Sequence, residues 1–213
     1  MADAILRACN KFRENFRALV ACFSRKSDVL SQWRAYADDA SGFCIGLTRD
    51  AFDGTAADLF EVEYSKEKQR RLIRDHLASA IATLKKSRST KRKTTFFFEV
   101  FDMCNDFTLM KNPAFIEEME VRARIMTSLT VKENERSGPT FYDVEISDQK
   151  AVNYLMNEGR IVPYTDVIIE PKLPLVDIVL GPRNPNSVQE VGWFASSYGF
   201  DDVKIRTSTA TYR

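Results

Sequence analysis

Two carboxylates one residue apart, followed by a guanidinium, form the densest group of reactive side chains in the chain: Glu118-Met119-Glu120-Val121-Arg122. If a strand begins at Glu118, then Glu118, Glu120, Arg122 and Arg124 share one face, because side chains repeat every second residue. Carboxylates held that close raise one another's proton affinity, and a neighbouring guanidinium counters this while gripping a phosphate or carboxylate. Such a catalytic set, Glu118, Glu120 and Arg122, suits acid and base work and the stabilisation of an oxocarbenium-like cation. The competing reading is a charged outer strand face with cross-strand ion pairs.

Three further features bear on chemistry. The segment Lys66 to Lys93 holds eleven basic residues and two acids, +9 in a chain whose net charge is +1. A polyanion would be attracted to Lys85, Lys86, Arg88, Lys91, Arg92 and Lys93 through counterion release, whatever its sequence. A solvated helix face followed by a flexible loop is the other reading of this run. The turn Gly181-Pro182-Arg183-Asn184-Pro185-Asn186-Ser187 leads into a helix start, where free N–H groups and Arg183 could hold a phosphate. His76, the one histidine, lies on the flank of an apolar helix and reads as structural.

Positioning these residues requires a particular set of elements. Ile5, Cys9, Phe12, Phe16 and Leu19 follow helical spacing. Leu19 to Ser24 reads as a strand, and Ser27 as the cap of a helix carrying Leu30, Trp33 and Ala37. Phe43 to Leu47 and Leu59 to Tyr64 read as strands, and Ser65 opens a long helix with Ile73, Leu77, Ala80, Ile81 and Leu84 on one face. Phe97, Val100, Phe101, Cys104 and Phe107 form a second long helix, and Asn112-Pro113 starts a short turn. Strands are expected from Met119 through Ile125, at Phe141 to Ile146, from Ile161 to Glu170 with Pro163 on an edge, at Leu175 to Leu180 and at Val203 to Thr207. Ser187 and Glu190 form a capping box, behind which Val188, Val191, Phe194 and Tyr198 are expected to be buried before Gly199 stops the helix. Strands and helices do not alternate regularly, so the expectation is an α+β protein with a mixed or mainly antiparallel sheet packed with several helices. It is read as a single domain, 1–213, with a basic loop inserted at about residues 85 to 95.

Composition narrows the classes. The chain has 213 residues, 44% apolar and 29% charged, enough to bury a substantial core. No window approaches a membrane span, which disfavours a membrane partner. One His removes most His-built zinc sites, and Cys9, Cys22, Cys44 and Cys104 contain no C-x-x-C pair, so no metal is expected and the cysteines read as small apolar residues. No secretory signal is recognised, and the expected compartment is the cytoplasm. The G-x-G-x-x-G, P-loop, G-x-S-x-G and EF-hand patterns are absent, which disfavours Rossmann dehydrogenases, P-loop NTPases and α/β-hydrolases.

One stretch carries a resemblance: Cys22-Phe23-Ser24, Asp28, Leu30, Trp33, Tyr36-Ala37 and Gly42-Phe43-Cys44-Ile45-Gly46-Leu47. It is followed in order by Lys111-Asn112-Pro113-Ala114-Phe115, Glu118, Glu120, Arg122, Val162-Pro163-Tyr164, Leu173-Pro174-Leu175, Ile178-Val179-Leu180-Gly181-Pro182, Ser208 and Tyr212-Arg213. These residues resemble the bacterial family called domain of unknown function twenty-nine seventy-one, over the span from about Cys22 to the C-terminus. Members carry an additional N-terminal segment with a Tyr- or His-bearing strand and an Asn-Asp pair, which has no counterpart here; the chain either starts late or is a reduced member. The family label brings no activity with it. By analogy, the set is similar to the kit of ADP-ribosyltransferases, in which a Glu-x-Glu pair stabilises the cation left when nicotinamide departs from NAD. That likeness implies NAD as a substrate, with no resident cofactor. Glu120 would face the oxocarbenium centre, Glu118 would orient the acceptor, and Ser24, Trp33, Tyr36 and Arg183 would bind substrate. Three readings stay open: an NAD-consuming transferase or glycohydrolase of the toxin or phage-defence kind, a nucleic acid binding module acting through Lys66 to Lys93, and a noncatalytic domain that binds a protein partner.

Overall fold

The structure, a computed structural model, describes residues 2–85, 90–132, 141–146, 152–169 and 175–212. These form five α-helices, two 3-10 helices and nine strands, with antiparallel pairing prevalent: an α+β fold, as the irregular order of elements predicts. The chain divides into two compact units. The first takes residues 1–22, 56–115 and 122–167, and the second takes 23–55, 116–121 and 168–213.

In the first unit, α1 (Ala2–Asn15), α3 (Lys66–Lys85) and α4 (Thr90–Phe107) pack by their apolar stripes. Phe12, Ala80, Val100, Met103 and Cys104 are buried together, with Ile5, Cys9, Phe16, Leu77 and Phe101 around them. The Phe12, Phe16 and Phe101 rings meet at centroid distances of 5.0 to 5.4 Å, within the range of favourable aromatic pairs. Helix α1 ends at Asn15, earlier than its spacing suggests, because the chain from Phe16 on joins the sheet as β1 (Phe16–Ser24). Strands β1, β4 (Glu120–Lys132) and β3 (Asp58–Glu61) lie side by side in that order, and β5 (Phe141–Ile146) pairs antiparallel with β4. Phe23 and Ser24 of β1, and Glu120 and Val121 of β4, belong to the second unit. A separate hairpin joins β6 (Asn153–Asn157) to β7 (Arg160–Tyr164) through Glu158-Gly159, both with positive φ, the conformation of a two-residue hairpin turn. Strand β7 therefore ends at Tyr164, well short of Glu170, which lies outside the described residues together with Leu173 and Pro174. Helix α4 begins at Thr90, so Lys91, Arg92 and Lys93 of the expected basic loop are helical, while residues 86–89 lie outside the described residues.

The second unit is built on a three-stranded sheet, β2 (Phe43–Leu47), β8 (Leu175–Leu180) and β9 (Lys204–Thr207). Strand β2 runs antiparallel to β8, with Phe43 opposite Leu180, and β9 runs parallel to it, with Leu180 opposite Thr207. Helix α2 (Leu30–Tyr36) places Trp33 against Ala40 and Val179, all buried. Ser27 does not cap it: Val29 holds the cap position, and the Ser27 hydroxyl instead accepts a hydrogen bond from Arg206 at 2.8 Å. Helix α5 (Val188–Ser197) has the capping box, and the serine's backbone and hydroxyl hold the Glu190 carboxyl below its usual range. It buries Val191 and Ala195, whereas Val188 is exposed and the Phe194 and Tyr198 rings meet at a tilt, 5.0 Å apart, with about two thirds of each exposed. The expectation that both were core fails because residues four apart also line up on an outward face.

Candidate functional site

The Glu118-Met119-Glu120 segment lies wholly in the second unit, and its backbone path differs from the one its alternation suggests. A 3-10 helix runs from Pro113 to Glu118, Met119 adopts φ 42°, and β4 starts only at Glu120. Glu118 is therefore not a strand residue, and the shared face expected for it, Glu120, Arg122 and Arg124 begins at Glu120. A left-handed, non-glycine residue between the two carboxylates is uncommon and persists only where its surroundings hold it.

Those surroundings are specific. The Ser24 hydroxyl donates to the Glu118 carbonyl at 2.7 Å and accepts from the Lys26 N–H at 3.0 Å and from Gln32 Nε2 at 3.2 Å. Gln32 Nε2 also reaches the Glu118 carbonyl at 3.3 Å. The Arg25 N–H donates to the Met119 carbonyl at 3.1 Å, and the Met119 N–H to the Ile116 carbonyl at 3.2 Å. Residues nearly a hundred positions apart in sequence thus fix the backbone on both sides of the bend. Glu118 is half-buried and Glu120 is 4% exposed, so the two carboxyl groups sit in different environments. Unequal surroundings are the usual means by which one carboxyl group of a pair takes a different role from its neighbour.

The remaining candidates disperse. Trp33 is 3% exposed, and its indole N–H donates to Asp28 at 2.7 Å, which makes it part of the core. Tyr36, three residues on, is 72% exposed. The two rings do not line one wall. Arg122 belongs to the first unit, where its guanidinium donates to the Thr108 carbonyl. Arg124 donates to the Asn105 carbonyl at 2.9 Å and to the Thr108 hydroxyl at 3.0 Å, and stands 4.2 Å from the Phe60 ring centroid. Both arginines therefore serve the C-terminal end of α4, whose last carbonyls favour a cation. Burial lowers the Arg124 pKa, and the charges of Asp106 and Asp58 act against that.

Arg183 is exposed and pairs with Asp39, and it does not point a free guanidinium into the helix start. Among the basic residues, Lys66, Lys68, Arg70, Arg71, Arg74 and Lys85 are exposed along α3, with Lys68 3.4 Å from Glu63. Lys86 and Arg88 lie outside the described residues, as do the side chains of Lys91, Arg92 and Lys93. His76 Nε2 lies 2.7 Å from Asp106, a structural pairing within the first unit. Among the described residues no group of three His, Cys, Asp or Glu side chains could hold a metal ion, and no helix is long and apolar enough to cross a membrane.

Sequence reading passed over a heavily bonded carboxylate of the second unit. Asp28 accepts from the Trp33 indole, the Ser208 hydroxyl, the Thr209 N–H at 2.7 Å and the Thr209 hydroxyl at 2.8 Å. Partial burial alone would raise its pKa. The hydrogen bonds from Ser208, from the Thr209 backbone, from Trp33 and from the Thr209 hydroxyl outweigh burial and lower it from 3.8 to about 2. Asp28 and Ser208 were both visible as members of the resembling motif, yet their separation of 180 residues hides the pairing.

Residues 32–123 match the family model described as "Protein of unknown function (DUF2971)". The stretch contains Trp33, Tyr36, the Gly42 to Leu47 strand, Glu118, Glu120 and Arg122, and leaves Ser24, Asp28 and the C-terminal motifs outside it. No curated protein and no solved structure matches the chain.

Proposed function

We propose that the second unit carries an NAD-consuming activity of ADP-ribosyltransferase or glycohydrolase type, centred on Glu118 and Glu120 and positioned by Ser24. The observation that carries this reading is the hydrogen bond from the Ser24 hydroxyl to the Glu118 carbonyl, next to the bend that separates a half-buried carboxylate from a buried one. In such a reaction the bond between the ribose C1′ and the nicotinamide nitrogen breaks, and nicotinamide leaves with the electron pair. The ribosyl cation is then captured by water or by an acceptor hydroxyl, whose proton passes to a base. Glu120 supplies negative charge where the cation develops, and its sheltered position strengthens that interaction relative to water. Glu118 orients the nucleophile and takes its proton. Ser24, Gln32 and the Arg25 N–H hold the segment beforehand, so no reorganisation is needed as charge develops.

The alternative of a nucleic acid held by the basic segment has less behind it. The exposed bases at the start of α3 are divided from Lys85 by the stretch Asp75 to Leu84, about 15 Å of helix without Lys or Arg. They therefore do not form one continuous stripe.

The experiment is nicotinamide release from NAD by the wild type and by Glu120→Gln, which keeps shape and removes charge. Release should fall by about a hundredfold or more with the melting temperature unchanged, because the lost interaction belongs to the transition state. Equal release by both proteins would end the proposal.

A further inference from the structure

A second cluster in the same unit has the chemistry of an anion site already filled by one of the protein's own carboxylates. Asp39 accepts a hydrogen bond from the Tyr212 hydroxyl at 2.5 Å and pairs with the Arg183 guanidinium, which also contacts its backbone carbonyl at 3.3 Å. The Arg183 guanidinium carbon stands 5.1 Å from the Tyr212 ring centroid, and that of Arg34 stands 5.8 Å from the same centroid. Two cations and one phenol hydroxyl are thus gathered around a single carboxylate. Tyr212 first, then Arg183 and Arg34, lower the Asp39 pKa.

The backbone presenting Asp39 is unusual. Asp38, Asp39 and Ala40 have φ values of 48°, 48° and 71°, three left-handed residues in a row without a glycine. Asp tolerates that region, but Ala rarely does. The strain is held from below. Ala40 is fully buried, its N–H donates to the Trp33 carbonyl at 3.0 Å, and its carbonyl accepts from the Arg183 N–H at 3.0 Å. Asn184 Nδ2 bonds the carbonyls of Ser41 at 2.7 Å and Gly42 at 3.0 Å. Gly181 permits this approach, because a Cβ there would lie 2.3 Å from the Ala40 carbonyl oxygen. All this fixes the backbone while the Asp39 and Arg183 side chains stay half in water, 56% and 50% exposed. An exposed pair of that kind contributes little to stability. Stability alone therefore gives no reason for a strained loop that delivers a carboxylate to it. Strain held this firmly is found mainly where a ligand or a switch uses it.

We propose that Arg183, Arg34 and the Tyr212 hydroxyl form a binding subsite for a phosphate group, with Asp39 as a built-in occupant that an incoming phosphate displaces. Two guanidiniums match a phosphate dianion better than a single carboxylate, since its oxygens offer more acceptors and twice the charge. None of the subsite's residues belongs to the Ser24 and Glu118 group; of the expected substrate-binding residues it uses Arg183. Calorimetric titration of the full chain at low ionic strength, with inorganic diphosphate and separately with ADP, tests it. Binding of both assigns recognition to the phosphates; binding of ADP alone, lost in Arg183→Gln, assigns it to a phosphate carried on a nucleoside. Arg183→Gln should weaken binding by about tenfold or more, and Asp39→Asn should tighten it by removing the competitor. Arg34→Gln, which leaves the Asp39 pair intact, should show a loss in the same direction. Absence of binding by both probes, affinity unchanged in both arginine variants, or weaker binding in Asp39→Asn would overturn the proposal.

Discussion

The two units are held together by different means. In the first, the core between α1, α3 and α4 is apolar, made of Phe12, Val100, Met103 and the rings of Phe16 and Phe101, while Ser79 and Thr83 of α3 bond Glu99 of α4 and His76 pairs with Asp106. In the second, Trp33, Ala40 and Val179 are buried together, and Leu180, Val191 and Ala195 are buried as well. Distant segments are also pinned by side-chain hydrogen bonds: Asp28 to Ser208 and Thr209, Asn184 to Ser41 and Gly42, Arg206 to Ser27 and Asp177. The contrast has a physical consequence. Apolar contacts are non-directional and tolerate some repacking, whereas a charged acceptor fixes the position of each donor to within tenths of an ångström. The second unit, where the candidate catalytic segment and the phosphate subsite both lie, is the one built for fixed geometry.

Two substitutions separate these modes. Met103→Ala should cost about 2 to 4 kcal/mol, since Met103 is 3% exposed and the surrounding rings cannot fill the space. Urea unfolding followed by far-UV circular dichroism measures it, because α1, α3 and α4 hold most of the helical residues described. A loss below about 1 kcal/mol would mean that the first core repacks freely. Asp28→Asn should cost somewhat less, about 2 kcal/mol, as an amide N–H₂ meets donors that had found a carboxylate. Tryptophan fluorescence reports it, since Trp33 and Trp193 both belong to the second unit. The wild-type advantage should also depend on pH. The folded pKa of Asp28, about 2, lies below the ordinary 3.8, so its contribution is complete above about pH 4 and is lost as pH falls towards 2. The variant should show no such share, and a wild type that keeps its full advantage at pH 2 would remove Asp28 from this role.

The same contrast explains what the sequence could reveal. Periodicity found the first core, because Ile5, Cys9 and Phe12, and Val100, Phe101 and Cys104, repeat at helical spacing. It also found β2, β8 and the Ser187 cap, whose signals are local. It could not find Asp28 with Ser208, or Asp39 with Tyr212, because nothing within a window of ten residues marks a partner more than 170 positions away. It misplaced Glu118 because the bend at Met119 has no glycine to announce it. The Glu158-Gly159 hairpin turn carried a glycine signal that the reading of Ile161 to Glu170 as one strand passed over. For the candidate site, the residue types Ser24, Glu118 and Glu120 were legible. The different burial of Trp33 and Tyr36, and the place of Glu118 in a 3-10 helix outside the strand that starts at Glu120, emerged only with the fold.

The central functional claim is that Ser24 holds the two glutamates in a geometry fit for cleaving the bond to nicotinamide. Its most direct test is the rate of nicotinamide release from NAD by Ser24→Ala set beside that of the wild type. The account predicts measurable release by the wild type and a fall of about tenfold in the variant, with the fold retained, because one positioning hydrogen bond of about 1 to 2 kcal/mol is lost. Release that is absent in the wild type, or equal in the two proteins, would contradict it.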